Sequence, residues 1–295
     1  MGGMSSTSEP PRVGRVPTPD GRRLATHSWG EGPDLVVLEA GMGASGRSWG
    51  AVARALAYGP LADQLTVVAY DRAGMGHSTP DARPRTLERL ASDLVTVVTA
   101  QRARRVVLVG HSWGGPIVRT AAPMLGDLVA GVVLVDPSQE DAEAYRSRTF
   151  AAGERLQAAV APTLARTGVL RAVMGLVARG LPEPDRAATV EGSSSPTAVR
   201  TYLAEGECLL QELDGLAHVP HPDGVPLTII SGTKPSLDAS RRQFVETHRR
   251  HAASVPGGRF VGAEKSHHMV PFTEPGLIAA EVLRLLWPTG GGSGL

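Results

Sequence analysis

The stretch VVLVGHSWGGP, residues 106–116, runs from an apolar segment straight into glycines, with Ser112 held between them. The apolar half has the continuous β-branched character of a strand buried on both faces. The segment PIVRTAAPML, 116–125, can start a helix directly after it. GHSWG at 110–114 therefore sets a G-x-S-x-G pattern at a strand-to-helix turn. A serine at such a turn is forced into a strained conformation that exposes its hydroxyl. Gly110 and Gly114 let neighbouring backbone pass where a Cβ would clash. The helix start also places positive partial charge where an oxyanion would develop. Ser112 is thus a candidate nucleophile, against the alternative of a structural Gly-Ser turn.

Further strands are expected at 34–40, 65–71, 131–136, 226–231 and 258–263, beside 105–110, with an earlier hairpin from about 12 to 29 turned at PDGR. Amphipathic helices are expected in SWGAVARALAYG (48–59), in TLERLASDLVTVVTAQ (86–101) with Thr86 as N-cap, and in EPGLIAAEVLRLLW (274–287). This alternation predicts an α/β fold with a mostly parallel central sheet flanked by helices. Residues 137–222 break it: they hold no convincing strand and read as helices jointed at RGLPEPD and EGSSSP. The expected organisation is a core of 12–136 and 223–288, a helical lid of 137–222 inserted after the strand ending at Asp136, a disordered segment 1–11 and a flexible tail 289–295.

A nucleophilic serine needs a base and a carboxylate behind it. Two histidines, His267 and His268, lie in GAEKSHHMVPFTEPGLI, after the last strand, where a loop reaches the sheet's C-terminal edge. Two carboxylates qualify: Asp136 at the end of GVVLVD, and Asp238 in SGTKPSLDAS. The oxyanion hole would use the N–H of Trp113 and that of Met42 in EAGMGASG.

These segments together resemble the α/β-hydrolase fold superfamily, from about residue 34 to 287 apart from the lid. LEAGMGASGRSW is similar to its oxyanion loop, with Glu39-Ala40 in place of the usual His-Gly. VVAYDRAGMGHS resembles its Asp-x-x-Gly-x-Gly-x-Ser segment, whose aspartate is structural, and VVLVGHSWGG its nucleophile elbow. SHHMVPFTEP resembles its Ser-Gly-His ending with a proline seven residues on; counting back from Pro275 selects His268. The family's usual acid, in Gly-x-x-Asp, would fall at Pro235. Some members carry the acid after the preceding core strand, which selects Asp136, with Asp238 as the alternative.

The resemblance implies a cofactor-free serine hydrolase, binding no metal, acting on a small apolar carboxylic ester or lactone. A lyase, cyclase or acyltransferase using the same triad, or a non-catalytic ligand-binding protein on this fold, is the alternative. Leu170, Met174 and Leu176 of the lid are expected to line an apolar pocket with Trp113. Epoxide or haloalkane chemistry through an aspartate is disfavoured, because a serine stands at the elbow.

Composition agrees with a small-molecule enzyme. The 295 residues are 42% hydrophobic and carry a net charge of +1, with no basic stripe for nucleic acid or an anionic membrane. The single cysteine, Cys208, permits no internal disulfide and is expected as a buried apolar residue. No apolar run reaches the roughly 18 residues of a membrane span, and MGGMSSTSEPPRVG lacks a signal-peptide core, so a cytoplasmic protein is expected. GMGASG at 41–46 imitates a dinucleotide-binding fingerprint with Asp71 as its acid, but Asp71 lies 25 residues beyond Gly46 and the elbow would go unexplained.

Overall fold

The computed structural model describes residues 9–287, so the expected tail at 289–295 and residues 1–8 of the expected N-terminal segment lie outside it. The chain runs β1 (Arg12–Pro17), β2 (Arg23–Trp29), β3 (Asp34–Glu39), α1 (Gly50–Ala57), β4 (Leu65–Tyr70), α2 (Leu87–Ala100), β5 (Arg105–His111), α3 (Gly114–Leu125) and β6 (Val129–Val135). After β6 come α4 (Arg148–Arg166), α5 (Val169–Val177), α6 (Asp185–Ser194) and α7 (Pro196–Leu216). The core resumes with β7 (Leu227–Gly232), α8 (Ala239–Ser254), β8 (Arg259–Ala263), α9 (Val270–Thr273) and α10 (Pro275–Leu286).

The eight strands form one sheet in the order β1-β2-β4-β3-β5-β6-β7-β8. β1 pairs antiparallel with β2, and β2 antiparallel with β4. Every pairing from β4 to β8 is parallel. The central strands are continuous apolar runs because both faces are covered, and alternate residues serve opposite faces. Leu35, Val37, Val106 and Leu108 pack with Leu90 and Leu94 of α2 and Ile117 of α3. Val36, Leu38, Val107 and Val109 pack with Val52 and Leu56 of α1 and Ile278 and Val282 of α10. Each such side chain contributes about 1.5–3 kcal/mol by leaving water.

The caps follow local chemistry. Thr86 accepts a hydrogen bond from the Arg89 N–H at the start of α2. Ser147 and Ser195 do the same for α4 and α7. The stretch between β6 and β7 holds helices and, among the described residues, no strand. Cys208 lies half-buried on α7 rather than fully buried. No single helix among the described residues is long and apolar enough to cross a membrane.

Candidate active site

β5 ends at His111 and α3 begins at Gly114, leaving Ser112 in the turn with φ of +53°. The turn closes tightly: a Cβ on Gly110 would sit 2.3 Å from the Gly114 carbonyl oxygen, and one on Gly114 would sit 2.4 Å from that of Glu39. The Ser112 N–H donates to the Val135 carbonyl at 3.1 Å, and the Ser112 carbonyl accepts from the N–H of Ser138 at 3.0 Å. The serine is thereby tied to the end of β6.

Asp136 is the first residue beyond β6, and its carboxylate is buried. His268 lies in the loop after β8, with its side chain 49% exposed. Its Nδ1 is 2.7 Å from Asp136 Oδ2 and its Nε2 is 3.1 Å from Ser112 Oγ. With Nδ1–H donating to the carboxylate, Nε2 is the acceptor for the serine hydroxyl. Of the two candidate histidines, the structure brings His268 into this reach, while His267 only lines the cavity that Ser112 and His268 also line.

The Asp136 carboxylate is saturated. Oδ1 accepts from the Gly232 N–H at 2.9 Å and from Arg241 Nη2 at 2.7 Å. Oδ2 accepts from Arg241 Nη1 at 2.6 Å as well as from His268. Burial works to raise this carboxyl, but His268 and then Arg241 hold it well below the usual carboxylate range. Asp238 lines the same cavity as Ser112 and His268 but is exposed and turned to its own helix: it caps α8 and accepts from the Ser240 N–H at 2.8 Å and the Ser240 hydroxyl at 2.7 Å.

The loop carrying His268 is anchored from both sides. His111 Nε2–H donates to the His268 carbonyl at 2.9 Å. Burial, and then the neighbouring His268, push His111 down to about 3, so this imidazole is neutral. On the other side the Lys265 N–H donates to Glu274 at 3.0 Å, and Ser266 is bonded to the same carboxylate.

The loop carrying Met42 is held by Arg72, which is buried. Arg72 donates to the carbonyls of Ala40 at 2.6 Å and Gly41 at 2.8 Å. It also pairs with Glu39 at 2.8 Å and, bidentately at 2.9 Å, with Glu205 of α7. Glu39, which stands where the resemblance has His-Gly, thus serves as an internal counter-ion for Arg72. Among the described residues neither the Met42 N–H nor the Trp113 N–H is used in a turn or loop hydrogen bond. Asp71 is also spent internally, accepting from the N–H groups of Gly46 and His77 at 2.9 and 3.1 Å.

Ser112, His268, Met42 and Tyr202 stand where two cavities meet. One, of about 250 Å³, is lined by Leu170, Met174 and Val177 of α5 with Phe272 and Trp49. The other, of about 570 Å³, is lined by Tyr145, Phe150, Phe244, Glu154 and Arg241. The expectation for the apolar pocket needs correction. Leu170, Met174 and Val177 share one helical face, whereas Leu176 is turned away and 67% exposed. Trp113 lines the larger cavity, not the apolar one.

Sequence reasoning missed Arg241, Arg72, His111 and Tyr202. His111 alone had a local signal, its place beside the serine at the end of a strand. The partners of the others lie 31 to 133 residues away or were not readable as cavity walls.

Residues 35–281 match the model of the alpha/beta hydrolase family. An uncharacterized protein of Mycobacterium tuberculosis is 26% identical over 93% of this chain and 86% of its own. Lipase LipV of the same organism is 36% identical over 36% of this chain and 38% of its own. The crystal structure of a hydrolase from Pseudomonas aeruginosa superposes with a TM-score of 0.66 at 24% identity, covering 93% of this chain and 98% of that one, which is a likeness of fold.

Proposed function

The chain belongs to the alpha/beta hydrolase family, and from that premise we propose that it is a serine hydrolase cleaving a small carboxylic ester or lactone through an acyl-enzyme. The observation that carries the proposal is the relay of 3.1 Å from Ser112 Oγ to His268 Nε2 and 2.7 Å from His268 Nδ1 to Asp136. The family and the partial likeness to a lipase support hydrolysis as the reaction class.

In this mechanism His268 Nε2 takes the Ser112 proton as Oγ attacks the substrate carbonyl. Asp136 keeps the Nδ1–H tautomer and offsets the charge of the imidazolium. The oxyanion accepts from the N–H groups of Met42 and Trp113, each contributing roughly 3 kcal/mol to lowering the barrier. His268 then protonates the leaving alcohol. Water then gives a proton to His268 as its oxygen attacks the acyl carbon; the bond to Oγ breaks, His268 Nε2 returns the proton to Oγ, and the acid leaves. The helices of 137–222 act as a lid that supplies the pocket walls. The apolar arm of the substrate fits the cavity beside Met174, and the leaving group exits through the larger cavity, which opens further to solvent.

The test is hydrolysis of p-nitrophenyl butyrate. Turnover abolished in Ser112→Ala supports the proposal. Turnover unchanged in that variant, or none in the wild type across a panel of esters and lactones, overturns it.

A further inference from the structure

Arg241 sits in the first turn of α8, the helix that follows β7, and its guanidinium forks onto Asp136. The pair is enclosed, with side-chain exposures of 12% and 2%. Arg241 Nη1 and His268 Nδ1 meet the same oxygen, Oδ2, at 2.6 and 2.7 Å. Arg241 Nη2 also donates to Ser231 Oγ at 3.2 Å. Ser231 Oγ is 2.8 Å from His248 Nδ1, whose ring Nε2–H donates to the Pro137 carbonyl at 2.8 Å. The cation is therefore built into the acid's surroundings at several points.

A fixed positive charge on the acid has a consequence for the base. Taking the Ser112 proton turns His268 into a cation, which Asp136 stabilises. A second cation bound to the same carboxylate opposes that charge. The other ionisable neighbours do not supply this effect. His111, whose ring is 4.8 Å from that of His268, is buried and neutral. His248, 4.0 Å from Asp136 Oδ1, is pulled down by burial, and its Nε2–H is engaged by the Pro137 carbonyl. Asp238, exposed and capping α8, lines the cavity with Glu154, His267 and Tyr202, and none of these four bonds Asp136.

Resting on the serine-hydrolase proposal, we infer that Arg241 is a positioning residue that sets the working pH of the triad. By sharing Asp136 with His268 it keeps the base free of its proton, and so the enzyme active, at lower pH than a carboxylate answering to His268 alone. The same fork fixes the carboxylate plane, so that Oδ2 points at the imidazole.

The test is the pH profile of kcat/KM for p-nitrophenyl butyrate in wild type, Arg241→Met and Arg241→Lys, with Ser112→Ala alongside. In Arg241→Met the acid limb is expected to move upward by about one pH unit. In Arg241→Lys, which keeps a charge but not the fork, the limb stays near that of the wild type while kcat falls. Arg241→Gln serves the same purpose if the methionine variant does not fold. Ser112-dependent turnover with an unmoved limb in the neutral variants overturns the Arg241 inference alone. Turnover that does not depend on Ser112 overturns the hydrolase proposal, and the role of Arg241 with it.

Discussion

Asp136 and Ser112 share a backbone state that residues with a side chain rarely adopt: φ is +45° at Asp136 and +53° at Ser112. Each is the first residue beyond a strand, and the two strands, β6 and β5, are neighbours in the sheet. Such a state costs about 1–2 kcal/mol per residue and persists only where surrounding contacts over-determine it. Here the Ser112 N–H is held by the Val135 carbonyl at 3.1 Å and the Asp136 N–H by the Ile230 carbonyl at 2.7 Å. The sheet thus aims a hydroxyl and a carboxylate from adjacent strand ends at one imidazole.

That geometry separates the two candidate acids. Asp136→Asn should lower kcat by about ten-thousandfold, because the imidazole then loses its tautomer and its counter-charge. Asp238→Asn should stay within about two- to threefold of wild type, since it removes only an exposed cap. Steady-state kinetics on p-nitrophenyl butyrate decides, and the reverse order would move the acid to Asp238.

The loop carrying Met42 is coupled to α7 through Arg72. Glu205→Gln removes a buried counter-ion that holds Arg72 at 2.9 Å, a change expected to cost about 3–5 kcal/mol of stability. If Arg72 then releases the Gly41 carbonyl, kcat should fall while KM changes little, because in the proposed mechanism the Met42 and Trp113 N–H groups act in the transition state. Urea unfolding and kinetics of the same variant check both halves.

The apolar cavity should limit the arm it receives. Met174→Trp fills part of its roughly 250 Å³ and should lower kcat/KM for p-nitrophenyl hexanoate by about tenfold or more, with acetate little affected. Leu176→Gln, on the outer face of α5, should leave both unchanged within about twofold. Equal losses for acetate and hexanoate in Met174→Trp would place the substrate arm elsewhere.

His111 makes stability depend on pH. Its imidazole is pushed from 6.5 down to about 3 by burial, so between those values the unfolded chain binds a proton that the folded chain does not. Stability therefore falls as pH drops through that window, by on the order of 4 kcal/mol at its lower end. His111→Gln, which keeps a donor for the His268 carbonyl, should flatten this fall. Urea midpoints at about pH 7 and about pH 4.5 test it, and equal slopes in both proteins would assign the loss to other groups.

Much of this arrangement is written locally in the chain. The strand, serine and helix of 106–125 follow one another without a gap, so periodicity and two glycines suffice to find the elbow. Asp136 is legible because it ends an apolar strand. Arg241, by contrast, lies 105 residues from its carboxylate, and one arginine among many has no local pattern to distinguish it. Arg72 is hidden in the same way, since its pairing with Glu205 exists only once α7 is folded over the sheet. The misplacement of Leu176 has a different origin. Apart from Arg171 and Gly175, α5 is apolar on every side, and only its packing reveals which side faces the cavity.

The central claim is that Ser112 carries the acyl group between the two half-reactions. Acid quenching of p-nitrophenyl butyrate turnover, followed by peptide mass spectrometry, reads this directly. The expected result is a butyryl adduct on the peptide bearing Ser112, more abundant when deacylation is slowed. Turnover with no adduct there, or with the adduct on another residue, would contradict it.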